Sequence, residues 1–230
     1  MATTLTWLGH ASFRVDIPSG KRFYVDPFLE GNPTCPRSEQ VPERIDAIFV
    51  THGHDDHVGS TVELATKFDC PVYAQVELRR WFSGQGLSEA LPQALNKGGT
   101  ADVGGAKLTL TNAFHSSSCR DGTYAGEACG FVLDVDDGAT IYFAGDTCVF
   151  GDMQLIGRIY EPDVAVLPIG DHFTMGPREA VVALELLGVK RCVPSHYGTF
   201  PILTGTPEKL RELAPDVEII TPEPGGSIEL

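Results

Sequence analysis

Basic side chains are scarce in this sequence. Its 230 residues include 17 lysines and arginines against 31 aspartates and glutamates, for a formal net charge of −14. No basic run is longer than a pair such as Arg79-Arg80. Non-specific affinity for nucleic acid depends on lysine and arginine displacing counterions from phosphates. The composition therefore argues against a nucleic-acid partner.

Other common features are also missing. The chain has no basic amino-terminal region followed by an apolar segment, and no apolar run long enough to span a bilayer. Its six cysteines contain no CxxC pair, so we expect free thiols rather than a disulfide framework. No linker rich in proline, glycine or serine divides it. We expect a cytoplasmic protein with one domain over residues 1–230 and no membrane partner, and the sequence leaves a homo-oligomer open.

Histidine, in contrast, is concentrated in one place. Three of the seven histidines fall within the run His52-Gly53-His54-Asp55-Asp56-His57. The run follows the apolar stretch 45–50, which has the pattern of a buried strand. A strand end holds a loop rigidly, and imidazole and carboxylate groups suit zinc, manganese, iron or nickel. A polar turn that contains histidine by chance is the alternative, but three histidines in six positions favour a metal site.

Three later apolar runs each end in one metal-binding type of residue. These residues are His115, Asp146 and His196. Strand ends deliver side chains to one edge of a sheet, so all three can join the histidine run in space. A lone histidine or aspartate after a strand is more often a turn or cap residue. The interpretation as ligands depends on the placement that all four loops share.

The order His-x-His-x-Asp-His, His, Asp, His resembles the metallo-β-lactamase superfamily of binuclear metal hydrolases. Finer features are similar to its small metal-dependent hydrolases related to ascorbate-6-phosphate lactonase. The segments that carry this likeness include Trp7-Leu8-Gly9-His10-Ala11-Ser12-Phe13, Asp26-Pro27-Phe28, Gly31-Asn32-Pro33, Asp171-His172-Phe173-Thr174-Met175-Gly176 and His196-Tyr197-Gly198-Thr199-Phe200-Pro201. The resemblance spans Leu5 to about Pro207, and it implies an α+β fold with a four-layer αββα sandwich.

The resemblance also implies two divalent metal ions, zinc first, with manganese, nickel or iron as alternatives. The ligands carried over are His52, His54 and His115 for one ion, Asp56, His57 and His196 for the other, and Asp146 as the carboxylate that bridges both. Two carboxylate oxygens can serve two cations. Asp26 matches an aspartate that orients the metal loop. A hydroxide held between the ions would attack the substrate, with Asp56, Asp146 and His172 as catalytic groups.

Residues in and around the branch-specific segments are candidates for substrate contacts. They are His10, Asn32, Ser116, Ser117, His172 and Tyr197. His10 and His172 can also donate a proton to the leaving group, because histidine changes charge near neutral pH. Ordinary core or surface histidines and ordinary loop serines are the alternatives. We expect loops 31–33, 116–117 and 197–199, together with His172, to ring the metals and to form a narrow, polar opening that admits a small molecule.

Hydrophobic patterns predict antiparallel strands at the start, then alternating strands and helices. The expected strands are 3–8, 12–17, 22–26, 70–74, 131–135, 140–144 and 164–169, and the expected helices 60–68, 77–82, 152–160, 177–187 and 207–213. Asp136-Asp137-Gly138 indicates a hairpin. This order fits sheets covered by helices on their outer faces.

A hydrolase acting on a lactone, thioester or phosphodiester is the leading hypothesis, since two divalent ions stabilise the anionic transition state of each reaction. The alternatives are a nuclease, a di-iron redox protein of the same fold, and a non-catalytic metal-binding protein. Histidine at position 54 and the lack of a flavin segment argue against the redox protein. Arg120 and Arg178 are the nearby candidates for holding a phosphate. Cys148 leaves the metal preference open.

Overall fold

A computed structural model describes residues 2–230 of the protein. Two seven-stranded sheets form its centre. The first sheet consists of β1 (Thr4–Trp7), β2 (Phe13–Asp16), β3 (Arg22–Val25), β4 (Ala47–Phe49), β5 (Val72–Gln75), β6 (Pro92–Leu95) and β14 (Ser227–Glu229). The second consists of β7 (Thr100–Asp102), β8 (Ala106–Asn112), β9 (Cys129–Val135), β10 (Thr140–Phe143), β11 (Val164–Pro168), β12 (Arg191–Ser195) and β13 (Glu218–Ile219).

The two sheets repeat one pattern of strand directions. In the first, β14-β1-β2-β3 are antiparallel neighbours and β3-β4-β5-β6 are parallel neighbours. In the second, β7-β8-β9-β10 are antiparallel and β10-β11-β12-β13 are parallel. Strands β3 and β10 are therefore equivalent, and a chemically important aspartate follows each of them, Asp26 and Asp146.

Helices cover both outer faces. They are α1 (Asp55–Val58), α2 (Thr61–Phe68), α3 (Val76–Gly84), α4 (Met153–Tyr160), α5 (Pro177–Leu187) and α6 (Pro207–Leu213). Leu64, Leu78 and Phe82 pack α2 and α3 against the first sheet. Ile156 and Leu184 belong to the cluster that packs α4 and α5 against the second. Within residues 2–230, no helix is long and apolar enough to cross a membrane.

A third apolar cluster lies between the sheets and is rich in phenylalanine. Phe13, Phe49, Phe131 and Phe143 are at most 2% exposed. The rings of Phe131 and Phe143 stack at 4.8 Å, and Phe49 contacts Phe131 edge-to-face at 5.7 Å. With helices outside and this core inside, the layers run helix, sheet, sheet, helix, and the expected αββα sandwich is confirmed.

The predicted elements are present to within about two residues at each end, and the hairpin turns at Asp137, whose φ is +56°. The short edge strands β6, β7, β13 and β14 are not predicted, because half-exposed strands of two to four residues carry almost no alternation of apolar and polar residues. Within the metal loop, α1 forms one helical turn that begins directly after His54.

Candidate metal centre

The candidate ligands meet where strands of both sheets end. His52 and His54 follow β4, and the turn of α1 brings Asp56 and His57 onto neighbouring positions. The other three ligands are His115 after β8, Asp146 after β10 and His196 after β12. One edge of the sandwich thus receives all seven side chains.

His52, His54 and His115 form the first cluster, and one ring nitrogen of each lies within 4.8 Å of the other two. His52 Nε2 is 3.0 Å from His54 Nδ1. The His115 ring is 5.1 Å from each of the other two rings and nearly perpendicular to both. Ligands about 2.0–2.1 Å from a tetrahedral zinc ion lie about 3.3 Å from one another. The spacing in this cluster therefore suits three ligands of one ion.

Asp56, His57 and His196 form the second cluster. Asp56 Oδ2 lies 3.7 Å from His196 Nε2 and 4.0 Å from His57 Nε2. The rings of His57 and His196 are nearly parallel, with centroids 5.9 Å apart. A carboxylate oxygen and two imidazole nitrogens in this arrangement can also hold a divalent metal ion.

Asp146 joins the two clusters through one oxygen atom. Its Oδ2 is 3.1 Å from His196 Nε2, 3.3 Å from His57 Nε2 and 3.6 Å from His115 Nε2. The first two distances connect it to the second cluster and the third connects it to the first. Its other oxygen, Oδ1, is buried without a hydrogen-bond partner among the described residues, so it is free to bind a metal ion as well.

Electrostatics differ between the clusters. Burial lowers the pKa of His52 well below its usual value, and also lowers the pKa of His54 and His115. Burial opposes charge on His57 and His196 too, but nearby carboxylates, Asp146 foremost, raise the pKa of His57 well above its usual value and that of His196 to about 9. The first cluster therefore offers neutral imidazoles, and the second concentrates negative charge that attracts a cation.

Orphaned polar atoms support metal binding at this site. His57 Nε2, His196 Nδ1 and Asp146 Oδ1 are buried and make no hydrogen bond among the described residues. His57 Nε2 lies 3.3 Å from Asp146 Oδ2, so the two atoms are neighbours without hydrogen-bond alignment. An unsatisfied buried polar atom costs about 1–3 kcal/mol. A bound metal ion would supply the missing partner of His57 Nε2 and Asp146 Oδ1. The residues present therefore fit a metal centre.

Asp26 supports one histidine of each cluster. Its carboxylate is 2% exposed, Oδ1 accepts the Thr51 N–H at 2.8 Å, and Oδ2 accepts both the Thr51 hydroxyl at 2.7 Å and His57 Nδ1 at 2.8 Å. With its proton on Asp26, the Thr51 hydroxyl accepts from His52 Nδ1 at 3.0 Å. Both imidazoles are thereby held with Nε2 free to bind a metal.

His10 lies behind Asp56 rather than at a substrate opening. The side chain is fully buried, Nε2 donates to Asp56 Oδ2 at 3.0 Å, and Nδ1 lies 2.9 Å from the Thr199 hydroxyl. Burial lowers the pKa of His10 to about 4, which keeps the ring neutral. Its carbonyl accepts the N–H of His196 at 3.0 Å. The prediction that His10 contacts the substrate is therefore wrong, because both of its ring nitrogens already have partners inside the protein.

Asn32 and Tyr197, two other predicted substrate contacts, each have a partner inside the protein. Asn32 is buried, and its Oδ1 accepts the N–H of Thr34 at 3.0 Å and the Thr34 hydroxyl at 2.8 Å. Tyr197 stacks on Trp7, with ring centroids 5.1 Å apart. Asn32 shapes its own loop and is not placed to contact a substrate. Tyr197 remains partly exposed beside the sheet core, and its role as a substrate contact stays a prediction.

The serine pair divides into two roles. Ser117 is buried, and its hydroxyl accepts the N–H of Gly53 at 3.1 Å, which ties the loop after β8 to the histidine run. Ser116 is exposed, and its hydroxyl lies 3.3 Å from His54 Nε2. Ser116 is therefore the serine that faces the open side of the first cluster.

His172 stands apart from the other candidates. It lies in the loop after β11 with φ of +61°, is exposed, and contacts the ring of Phe173. Within residues 2–230, no hydrogen bond or ion pair joins its ring to the ligands. The structure does not bring His172 into the cluster, and its role as a proton donor stays a prediction.

Sequence reasoning missed two groups of residues. Thr51 links Asp26 to His52 through hydrogen bonds of its hydroxyl, and the Thr199 hydroxyl contacts His10. A threonine in such a supporting position has no distinctive sequence pattern. The other group lines a groove of about 1390 Å³ that opens beside Asp56 and includes Trp81 and Phe200. The expected narrow, polar opening is wrong, because this groove is wide and partly apolar. The sequence does not indicate the groove, since its walls come together only through the fold.

The sequence matches the β-lactamase superfamily domain over residues 21–197. It is 49% identical over 231 residues to a UPF0173 metal-dependent hydrolase from Herpetosiphon aurantiacus, with 97% of this chain and 96% of the relative covered. A second UPF0173 metal-dependent hydrolase, from Rubrobacter xylanophilus, is 48% identical with 97% and 95% covered.

Solved structures of metal-dependent and related hydrolases are also similar to this chain. Igni18, a metallo hydrolase from Ignicoccus hospitalis, superposes with a TM-score of 0.88 at 32% identity, covering 100% of this chain and 99% of its own. An isothiocyanate hydrolase from Delia radicum gut bacteria superposes with a TM-score of 0.79 at 25% identity, covering 99% of both chains.

Proposed function

The chain belongs to the metallo-β-lactamase superfamily as a metal-dependent hydrolase of the UPF0173 group, and from this premise we propose that it cleaves a small ester-like substrate at a centre of two divalent metal ions. Zinc is the proposed metal, with manganese, nickel and iron as alternatives. The observation that carries the proposal is Asp146 Oδ2, which lies 3.1–3.6 Å from histidines of both clusters.

Bound metal ions would supply two effects at this place: a lowered pKa for a shared water, and stabilisation of the negative charge that develops on the substrate. The chain's own residues do the positioning. Asp26 and Thr51 set the tautomers of His52 and His57. His10 holds Asp56 by its N–H. Because these partners are buried, the ligands are fixed before a substrate arrives.

For a lactone or thioester, the water oxygen forms a bond to the carbonyl carbon, the bond from that carbon to the leaving oxygen or sulfur breaks, and the leaving group takes up the proton that the water gives up. For a phosphodiester, the water oxygen forms a bond to phosphorus, and one phosphorus–oxygen ester bond breaks with the same transfer of a proton. Lactones, thioesters and phosphodiesters are the proposed substrate classes. An isothiocyanate is a further candidate, since a structural neighbour with 25% identity is named an isothiocyanate hydrolase.

A substrate screen with metal analysis tests this function. Protein purified without added metal would be analysed for its elements, reloaded, and assayed on a lactone, a thioester, an aryl ester, an isothiocyanate and bis-p-nitrophenyl phosphate. We expect two metal ions per chain and turnover of at least one acyl substrate. Asp146→Ala should lose both, whereas Asp152→Ala, at an exposed helix start without a side-chain cap, should lose neither.

Either of two results would contradict the proposed function. Turnover that survives Asp146→Ala would place the chemistry elsewhere. Iron-loaded protein that consumes oxygen and leaves every acyl substrate intact would favour the di-iron redox protein instead.

A further inference from the structure

The groove beside Asp56 runs along the outer helices of the first sheet. Asp56 lines it, so the groove opens onto the second cluster. Its other walls come from α2, from Trp81 on α3, and from two loops that carry Phe28 and Phe200. At about 1390 Å³ it is much larger than the hollow of about 410 Å³ beside His115 and Ser116. A ligand that reaches the metal centre from this side has room for an extended body.

Apolar side chains continue from the metal centre into the groove. The rings of Phe28 and Phe200 contact His10, the partner of Asp56, at centroid distances of 6.1 and 5.5 Å. Phe200 is nevertheless 38% exposed. Val62 on α2 and Trp81 on α3 are partly exposed and line the same groove. Open apolar surface in a concave site next to polar catalytic groups is typical of a ligand-binding pocket.

Charge in the groove disfavours anionic ligands. Besides Asp56, four carboxylates line the groove: Glu30, Asp55, Glu63 and Asp121. Among the described residues, only two cationic side chains, Lys67 and Arg120, line it. Arg120 Nε already pairs with Asp55 at 2.9 Å. Arg120, a candidate phosphate handle in the sequence, is thus neutralised by its neighbour. A phosphate or carboxylate on the part of the substrate that lies in the groove would meet net repulsion.

We propose that the groove binds the apolar arm of an uncharged acyl substrate, an ester or thioester whose alkyl or aryl chain extends from the reacting carbonyl past Phe28 and Phe200 toward Trp81. This inference rests on the proposed hydrolysis and narrows its substrate class. It disfavours substrates whose arm in the groove carries a phosphate or carboxylate. Val62 and Trp81 are specificity-determining residues in this account, because they contact the arm and not the reacting atoms.

A matched ester series tests the proposal on the metal-loaded protein. The substrates are p-nitrophenyl acetate, butyrate and hexanoate, and mono-p-nitrophenyl adipate, which has the chain length of the hexanoate with a terminal carboxylate. Each buried methylene is expected to raise kcat/KM by about twofold to fourfold. We therefore expect kcat/KM to rise at least roughly tenfold from acetate to hexanoate, and to fall at least roughly tenfold when the carboxylate is added.

Variants assign the effect to the groove. Val62→Asp and Trp81→Ala should each reduce the hexanoate-to-acetate ratio of kcat/KM to about one-third or less. Ile159→Ala removes an apolar side chain that is 64% exposed on α4, in the opposite outer layer, and should leave the ratio unchanged. Circular dichroism would confirm that each variant folds. Equal kcat/KM for all chain lengths, or a ratio that both groove variants leave unchanged, would overturn the proposal.

A binding measurement separates this proposal from the proposed function. N-phenyl-1-naphthylamine is an uncharged apolar dye that fluoresces when it leaves water, and it requires no catalysis. We expect it to bind the metal-loaded protein, and Val62→Asp to weaken that binding at least fivefold. Dye binding that depends on Val62 without ester turnover would keep the groove and reject the hydrolysis. Ester turnover with dye binding that is indifferent to Val62→Asp would reject the groove and keep the hydrolysis.

Discussion

Replacing Asp26 by asparagine tests how the buried support of the ligands sets metal affinity. The substitution preserves shape and removes one negative charge from a side chain that is 2% exposed. The carboxylate accepts three hydrogen bonds, two from Thr51 and one from His57. Each hydrogen bond to a charged group contributes about 1.5–3 kcal/mol. Asparagine keeps one acceptor oxygen and must point its NH₂ group at one of the donors.

The worst consequence falls on His57. If the amide oxygen keeps the bond to the Thr51 N–H, the NH₂ group faces His57 Nδ1 at the 2.8 Å position of Oδ2. His57 must then accept at Nδ1 and carry its proton on Nε2, the nitrogen that faces Asp146. A ligand held in the wrong tautomer cannot bind a metal. We expect metal affinity to fall about 10–100-fold, which corresponds to about 1.4–2.7 kcal/mol.

Calorimetric titration of zinc into the metal-free protein, with elemental analysis of the loaded protein, measures this loss. Asp46→Asn is the matched control, since Asp46 also accepts a backbone N–H, that of Arg22 at 2.7 Å, but at a strand start away from the cluster. The control should keep full affinity. Wild-type affinity in Asp26→Asn, or an equal loss in Asp46→Asn, would refute the assignment of Asp26 as the support of His57.

Further substitutions and metal removal probe the rest of the centre. Asp146→Ala should lose metal and abolish turnover, because one oxygen faces both clusters; metal content measured as two ions per chain would contradict this. His172→Ala should keep its metal, since its exposed ring contacts Phe173 and none of the ligands in residues 2–230; a turnover more than roughly tenfold lower would favour the proton-donor role. His10→Ala should free Asp56 and lower metal affinity about tenfold or more. His10→Gln should restore the affinity, because its amide can donate the same hydrogen bond to Asp56. A loss of affinity that His10→Gln does not reverse would leave His10 as a core side chain. Chelation should lower the melting temperature, because a ligand that binds only the folded state at 100 times its Kd contributes about 2.7 kcal/mol; an unchanged melting temperature would argue against resident metal.

Much of the fold can be predicted from the sequence, because the long elements carry strong patterns. The helix over 177–187, for example, begins with Pro177 and ends at Gly188, which adopts φ of +70°. The loops that carry the seven candidate ligands can also be identified, since each loop follows an apolar run and strand ends deliver side chains to one edge; the full set comes from the family resemblance. The layers and the meeting of the ligands therefore follow from local patterns and the known geometry of sheets.

The direction of individual side chains could not be predicted. His10 and Tyr197 lie in segments near the centre, yet His10 donates to Asp56 and Tyr197 stacks on Trp7. Their neighbours along the chain do not determine that choice, because Asp56 and Trp7 are placed by the tertiary fold. Asn32 differs, since its partner Thr34 lies two residues further along the chain. The groove is a similar case, since Phe28, Trp81 and Phe200 are far apart in the sequence.

The central claim is that seven side chains hold two metal ions that Asp146 shares, and anomalous diffraction at the zinc absorption edge tests it most directly. Crystals of the zinc-loaded protein should show two peaks about 3.5–4 Å apart. One peak should lie among His52, His54 and His115, the other among the second cluster, with Asp146 between them. A single peak, or peaks away from Asp146, would contradict the account.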